Sequence, residues 1–278
     1  MGAYVFKGKE TEMNIFGKIA GIALGAALSL GAVASTASAQ SVEEIKSRGT
    51  VNIGMLVDFA PFGIINDQGK PDGYDADVAK LLAEDMGVQV NLVPVTGPNR
   101  IPYLLSGQVD ILVASLGITP ERAEQVDFSQ GYAGIEIFVY GDVNTEIKDP
   151  ADLAGKSVAV ARASTQDTSL TAVAPEGTNI QRFDDDASAV QALLSGQVPL
   201  MGASNVVVSQ LDTVAPGRFD VKLSLRQQSQ GIATRPGQTE LMEYINAFLA
   251  KNKENGKLNE LHEKWVQTPL PEFLQKSE

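Results

Sequence analysis

The chain has no cysteine among its 278 residues and only one histidine. Without thiols there is no disulfide, no thiol nucleophile, no thiolate metal site and no cysteine to carry a lipid near a cleavage point. A single histidine, His262, all but excludes a zinc site or a Ser-His-Asp triad. Its setting, LNELHEKWVQ, is an amphipathic helix pattern in which histidine is a surface or packing residue. Positive charge is scarce too: 22 Lys and Arg stand against 34 Asp and Glu, a net charge of −12. A surface this acidic is repelled by nucleic acid and by anionic lipid.

Apolar runs approaching membrane length are also missing after residue 39. Before it, Lys18 precedes an apolar and small-residue run over 19–33, and Ala37-Ser38-Ala39 follows. This pattern predicts a cleavable secretory signal peptide over residues 1–39, because the run is thinned by Gly21, Gly25 and Gly31 and falls short of the about 20 residues a membrane span needs. Met13 stands where such a leader would begin, so residues 1–12 read as an upstream extension or a misassigned start. The expected mature chain, 40–278, can form one large domain or two, each with its own core.

What the chain does contain is an internal echo. LLSGQV occurs at 104–109 and again at 193–198, and both copies run on to Ala-Ser, as LLSGQVDILVAS and LLSGQVPLMGAS. Each reads as a helix end, a Gly turn and a buried strand with a serine at its tip, which implies two lobes of similar build. Around the first copy the periodicity predicts strands at 51–57, 88–95 and 110–115, a helix at 74–86 with Val78, Leu81, Leu82 and Met86 on one face, and a helix at 101–106. Around the second it predicts a helical turn at 150–153, strands at 157–161, 179–183 and 198–203, and helices from 164 and over 187–195. An extended stretch at 135–140 leads into a linker at 141–144, and 227–233 reads as a return crossing before helices at 240–249 and 258–265. The expected class is therefore α/β with two lobes: 40–140 plus 232–278 as lobe 1 and 145–227 as lobe 2, with hinges near 141–144 and 228–231. Ligands in open parallel sheets bind beyond the carboxyl ends of strands, so Ser115 and Ser204 are expected at one cleft.

The most specific local signal is Ser115-Leu116-Gly117-Ile118-Thr119-Pro120-Glu121-Arg122. Thr119 is suited to an N-cap and Pro120 to the first helical position, so Arg122 projects from a first turn. Its planar fork suits a carboxylate; equally, it reads as a surface arginine paired with Glu121 or Glu124. Ser164 and Thr165 open a helix whose hydroxyls and amides could meet the same anion, or serve as ordinary caps. Gly155-Lys156-Ser157 mimics the end of a phosphate loop, but Pro150 stands where that motif needs glycine.

Six motifs in one order, Ala60-Pro61-Phe62, Gly73-Tyr74-Asp75, Asn99-Arg100-Ile101-Pro102, Thr119-Pro120-Glu121-Arg122, Asp127-Phe128-Ser129 and the segment from Asp152 to Val160, resemble periplasmic solute-binding protein family 3, the binding proteins for polar amino acids that feed ABC importers. The resemblance spans nearly the whole expected mature chain. It implies a type II periplasmic-binding-protein fold, two α/β lobes on a two-strand hinge that close on a small carboxylate-bearing solute, a polar amino acid or derivative. By position it implies that Arg122 holds the ligand's α-carboxylate with the Gly117 amide, Ser164 and Thr165. It places Ser115 at the head group, Phe59 as a ring packed on the ligand, and Arg100 where members preferring acidic amino acids meet the side chain. Read alone, Phe59 suits core packing and Arg100 a surface ion pair equally well. It implies an inner-membrane ABC permease as partner, a monomer, a periplasmic location without a lipid anchor, and no metal, cofactor or catalytic residue.

Two departures qualify the expected ligand. Ser204 stands where the family usually has an Asp for the ligand's ammonium, and Leu56 where polar contacts are common, so a ligand without a standard α-ammonium is one outcome. The alternative class is a secreted enzyme on the same fold, a cyclohexadienyl or prephenate dehydratase, which would need a poised carboxylic acid. Asp58 and Asp184 to Asp186 are the acids near the expected cleft, and they read as solvated loop positions. A sensor domain is disfavoured because no membrane-length segment follows.

Overall fold

The alternation of apolar runs and helix-period segments folds into a continuous eight-stranded sheet with helices on its faces, beside a separate two-stranded hairpin. A computed structural model describes Gly2 and residues 41–275, and residues 41–275 belong to one compact unit. The signal-peptide reading of 1–39, apart from Gly2, lies outside the described residues. In chain order the elements are α1 (Val42–Arg48), β1 (Thr50–Leu56), β2 (Ile64–Ile65), β3 (Pro71–Asp72), α2 (Tyr74–Met86), β4 (Gln89–Val95), α3 (Arg100–Leu105), β5 (Ile111–Leu112), α4 (Pro120–Ala123) and β6 (Asp127–Asp142). A 3-10 turn at Pro150–Leu153 leads to β7 (Ser157–Ala161), α5 (Thr165–Val173), β8 (Asn179–Phe183), α6 (Asp186–Leu194), β9 (Leu200–Ser204), α7 (Asn205–Val214) and β10 (Phe219–Thr234). The chain closes with α8 (Thr239–Glu254), α9 (Lys257–Val266) and α10 (Glu272–Gln275).

The sheet order is β4-β1-β5-β10-β6-β9-β7-β8. In each half the first strand lies between the second and third and pairs with both in parallel: β1 between β4 and β5, β7 between β8 and β9. The echo in the sequence is thus an echo in topology. Its turn is repeated as well, with Gly107 at φ 76 and Gly196 at φ 75, the left-handed region glycine enters without a Cβ penalty. Leu104 and Val109, and their counterparts Leu193 and Val198, are buried under the strands that follow.

The two halves are joined by β6 and β10, sixteen residues each and antiparallel along nearly their whole length. Here the structure differs from the sequence reading. Gly141 and Asp142, expected in a linker at 141–144, still belong to β6 and pair with Leu200 and Phe219. The change of neighbours comes earlier. β10 pairs with β5 at Ala233, opposite Phe128, whereas β6 pairs with β9 only from Ile137 onward. The register of the β6/β10 ladder slips between Val221 and Leu223, between Ser224 and Arg226, and on either side of Gly231, while Gln227 to Gln230 pair in register. A polar, glycine-containing segment such as 141–144 resembles a turn locally, and the long-range ladder with β9 and β10 overrides that preference. Helix α7 was not anticipated, because its apolar run Val206-Val207-Val208 is rich in β-branched residues that suggest a strand.

Candidate functional site

The turns at the carboxyl ends of β1, β5, β7 and β8 converge on a cleft of about 430 Å³, counted to its open mouth, whose walls come from both halves. Leu56, Phe59 and Ile135 supply apolar wall; Arg100 and Arg162 supply positive charge; Asp58, Asp185 and Asp186 supply negative charge; Ser115, Ser164, Thr165, Gln166 and Gln230 supply neutral polar groups. Phe59 is buried and stacks on Phe62, ring centroids 5.4 Å apart and planes nearly parallel, so its ring packs in the core and still faces the cleft.

Arg122 sits as its local sequence dictates. Thr119 caps α4, its hydroxyl accepting from the Arg122 amide at 3.4 Å, and Pro120 occupies the first turn. The side chain, however, is not a surface one. It is 8 % exposed and, unlike Arg100, is not among the residues that line the cleft; instead of Glu121 or Glu124 its terminal nitrogens donate to the carbonyls of Gly117 (2.9 Å) and Ala163 (2.8 Å). Arg100, 4 % exposed, donates to Ala114 O at 2.8 Å and also reaches Ala163 O at 3.4 Å. Two buried guanidiniums therefore converge on one main-chain oxygen of the opposite half. Burial, and then the neighbouring Arg100, lowers the pKa of Arg122 to about 9. Burial lowers that of Arg100 to about 10, offset in part by Asp186, Tyr132, Asp75 and Asp58. Main-chain carbonyls carry only partial charge, so a carboxylate would be a better partner for both. Gly117 itself does not line the cleft. It lies where the halves touch, and a Cβ there would come within 2.7 Å of Thr165 Cγ2.

Backbone strain marks both sides of the cleft. Ser115 (φ 47) and Ala163 (φ 57) are non-glycine residues in the left-handed region, held there by their surroundings. Beneath Ser115 lies Asp75, buried in the first turn of α2, which accepts from Ser115 Oγ at 2.8 Å and from Tyr132 Oη at 2.7 Å, while the Ser115 amide donates to Tyr132 Oη, 3.0 Å away. The Ser115 hydroxyl proton is thereby committed downward, and what that residue offers the cleft is an acceptor. Burial raises the Asp75 pKa to about 6 against these hydrogen bonds.

From the other half, Ser164 caps α5 by accepting from the Asp167 amide at 3.0 Å, with Thr165 and Gln166 buried beside it at the cleft wall. Ser204 behaves differently. It is 0 % exposed, accepts from the Val207 amide as the N-cap of α7, and does not line the cleft. Ser204→Ala is therefore expected to lower stability by about 1 kcal/mol through the lost cap while leaving ligand affinity unchanged, as measured by urea denaturation and calorimetry.

The acids read from sequence as solvated loop positions are placed instead in the cleft wall. Asp186 has its pKa raised to about 7 by burial and by Asp58, with Arg100 opposing. Asp58 is shifted up by burial and by Asp185. The Asp184-Asp185-Asp186 run looks like a solvated helix start, and Asp185 does cap α6; only the fold reveals that this cap faces β1 across the cleft. Gln230, Ile135 and Arg162, which also line the cleft, are residues to which the sequence does not point. None carries a local signal, since each reaches the cleft by its place in the sheet. Among the described residues no cluster of His, Cys, Asp and Glu has the geometry of a metal site.

The family model for bacterial extracellular solute-binding proteins, family 3, matches residues 51–268. The chain is 30% identical over 261 residues to the ABC transporter glutamine-binding protein of Bacillus subtilis (strain 168), covering 91% of this chain and 94% of that one. It is 29% identical over 265 residues to the L-cystine-binding protein of Escherichia coli (strain K12), covering 93% and 95%. Among solved structures, the solute receptor for L-cysteine of Neisseria gonorrhoeae superposes with a TM-score of 0.75 at 30% identity, over 81% of this chain and 93% of that one. These similarities extend to the type II periplasmic-binding-protein fold as a whole, and all three proteins are named for binding a small solute.

Proposed function

The chain belongs to the bacterial extracellular solute-binding proteins, family 3, as the substrate-binding protein of an ABC transporter for polar amino acids, and from that premise we propose how its cleft captures the ligand. It is a binding protein and not an enzyme, as its relatives are, which removes the dehydratase alternative. The ligand is a small solute with a carboxylate at one end and a positive group at the other. Its carboxylate takes the place of the carbonyl partners of Arg122 and Arg100, and its positive end faces Asp58, Asp185 and Asp186. The observation that carries this reading is the pair of buried guanidiniums donating only to main-chain oxygens beside a cleft walled from both halves.

The ammonium partner absent at Ser204 is supplied in this reading by the acids across from β1, so a standard α-amino acid is accommodated. The halves act as lobes, residues 40 to about 130 with 232–278 and residues of about 137–227, and the hinge lies where β6 and β10 change neighbours rather than at 141–144. Ligand stabilises the closed arrangement because Arg122 and Arg100 of one lobe and Ser164 and Thr165 of the other reach it together, which gives the differential affinity that closure needs. The closed form then docks on an inner-membrane permease, after export by the signal peptide into the periplasm. No described helix is long and apolar enough to cross a membrane.

The test is mass spectrometry of small molecules released on denaturing protein purified from its native host, with thermal shifts against polar L-amino acids and small organic acids. A released amino acid or derivative that raises the melting temperature is expected. No shift with any amino acid, together with a shift from an organic acid lacking nitrogen, would overturn the reading.

A further inference from the structure

Gln230 stands on β10 at the floor of the cleft, between the two halves, and its side chain is 0 % exposed. Both polar atoms of that side chain, Oε1 and Nε2, lack a hydrogen-bond partner among the described residues. A buried amide with neither end paired is disfavoured, and folded proteins keep such groups rarely and for a reason. Its neighbour Gln228, equally buried, directs Nε2 to the carbonyls of Ile118 and Ser229 at 2.8 Å each and leaves only Oε1 without a partner, so of the two glutamines Gln230 alone has neither end bonded.

Gln230 is held away from such partners. Its own residue bridges to Gly117 and pairs with Ala133, while the Ile118 amide donates to Ser229 O at 2.9 Å and the Gly231 amide to Leu116 O at 3.0 Å. The backbone on either side is thus pinned, and the amide is presented beside Ser115, Ile135, Thr165 and Gln166. We infer that Gln230 is a specificity-determining residue of the binding cleft, reading a carboxamide on the ligand through paired hydrogen bonds, Nε2 donating to its carbonyl and Oε1 accepting from its N–H. A carboxamide is the simplest group that satisfies a donor and an acceptor side by side; a carboxylate would oppose Oε1 and an ammonium would oppose Nε2. The inference rests on the reading of the cleft as a carboxylate-binding site and deepens it to amide-bearing amino acids.

The experiment is calorimetric titration of the purified protein with L-glutamine, L-asparagine, L-glutamate and L-arginine. Wild type is expected to bind L-glutamine or L-asparagine at least tenfold more tightly than the other two. Gln230→Met keeps the shape without the polar atoms and is expected to lose at least tenfold for the preferred amide, with the ligand-free melting temperature unchanged or raised because an unpaired buried amide is gone. Gln230→Glu keeps the shape and an acceptor but loses the donor, and the same loss is expected. The inference is overturned if L-glutamate or L-arginine is preferred, or if the affinity of either folded variant stays within twofold of wild type. Binding lost in Arg122→Ala but retained in Gln230→Met would overturn this inference alone, whereas absence of binding by all four amino acids, with an organic acid bound instead, would overturn the amino-acid reading itself.

Discussion

Replacing Arg122 with alanine is expected to weaken binding of the cognate ligand by about 3 kcal/mol or more, roughly two orders of magnitude, and to abolish ligand-induced thermal stabilisation. The guanidinium is buried and donates to Gly117 and Ala163, one carbonyl from each half, so it is already placed for an anion arriving between them. Removing it deletes a charge-assisted fork and also a tie between the halves. The ligand-free protein should lose little, about 1 kcal/mol or less, because a buried charge without a counter-ion is a weak stabiliser and its removal leaves two carbonyls to water or to smaller shifts. Arg122→Lys should recover only part of the affinity, since an ammonium keeps the charge but not the planar two-point geometry. Calorimetry and thermal shift on the three proteins check this; unaltered affinity in Arg122→Ala would remove the guanidinium from the site.

Asp75→Ala is expected to produce the largest loss of stability, about 3 kcal/mol at neutral pH, which for a chain of this size lowers the melting temperature by roughly 6–12 °C. Two buried hydroxyl donors, Ser115 and Tyr132, end on this one carboxylate. Without it both are unpaired and the strained Ser115 backbone loses its anchor, so ligand affinity should fall as well. The pH dependence carries a sign. Burial raises the folded pKa of Asp75 to about 6, above the usual carboxylate value of about 4, so the folded state binds the proton more tightly than the unfolded one. Its contribution is therefore full below about pH 4 and is lost as pH rises through about 6. Asp75→Asn cannot titrate, and the wild-type minus variant stability should decline over that window in urea denaturation. A difference that instead grew with pH would contradict the placement of this carboxyl in a low-dielectric pocket.

Much of this architecture was legible before any coordinates. The α2 boundaries follow from the period of Val78, Leu82 and Met86 and from acids in the first turn, and β7 from a short apolar run between turns. The repeated LLSGQV marked the two halves because its Gly must take a positive φ in each copy. The cap and first-turn pattern of Thr119 and Pro120 gave the direction of Arg122, though not its burial. Ser204 shows what a local reading leaves open: a serine after a strand suits a ligand contact and an N-cap equally, and the cap it makes is visible only once α7 is in place behind it.

Local order came from the sequence alone, because hydrophobic period, caps and glycine turns act over a few residues. So did the membership of the family, through motifs kept in order along the chain, and, with no cysteine in the sequence, the exclusion of thiol chemistry. The tertiary structure decided which side chains share the cleft. Asp58 and Asp186 are 128 positions apart, Gln230 stands on β10 and Ser115 in the turn after β5, and Ala163 meets two arginines from the other half. Such encounters depend on the order of strands in a sheet that β6 and β10 make continuous, and strand order is fixed by long-range pairing that no window of sequence contains.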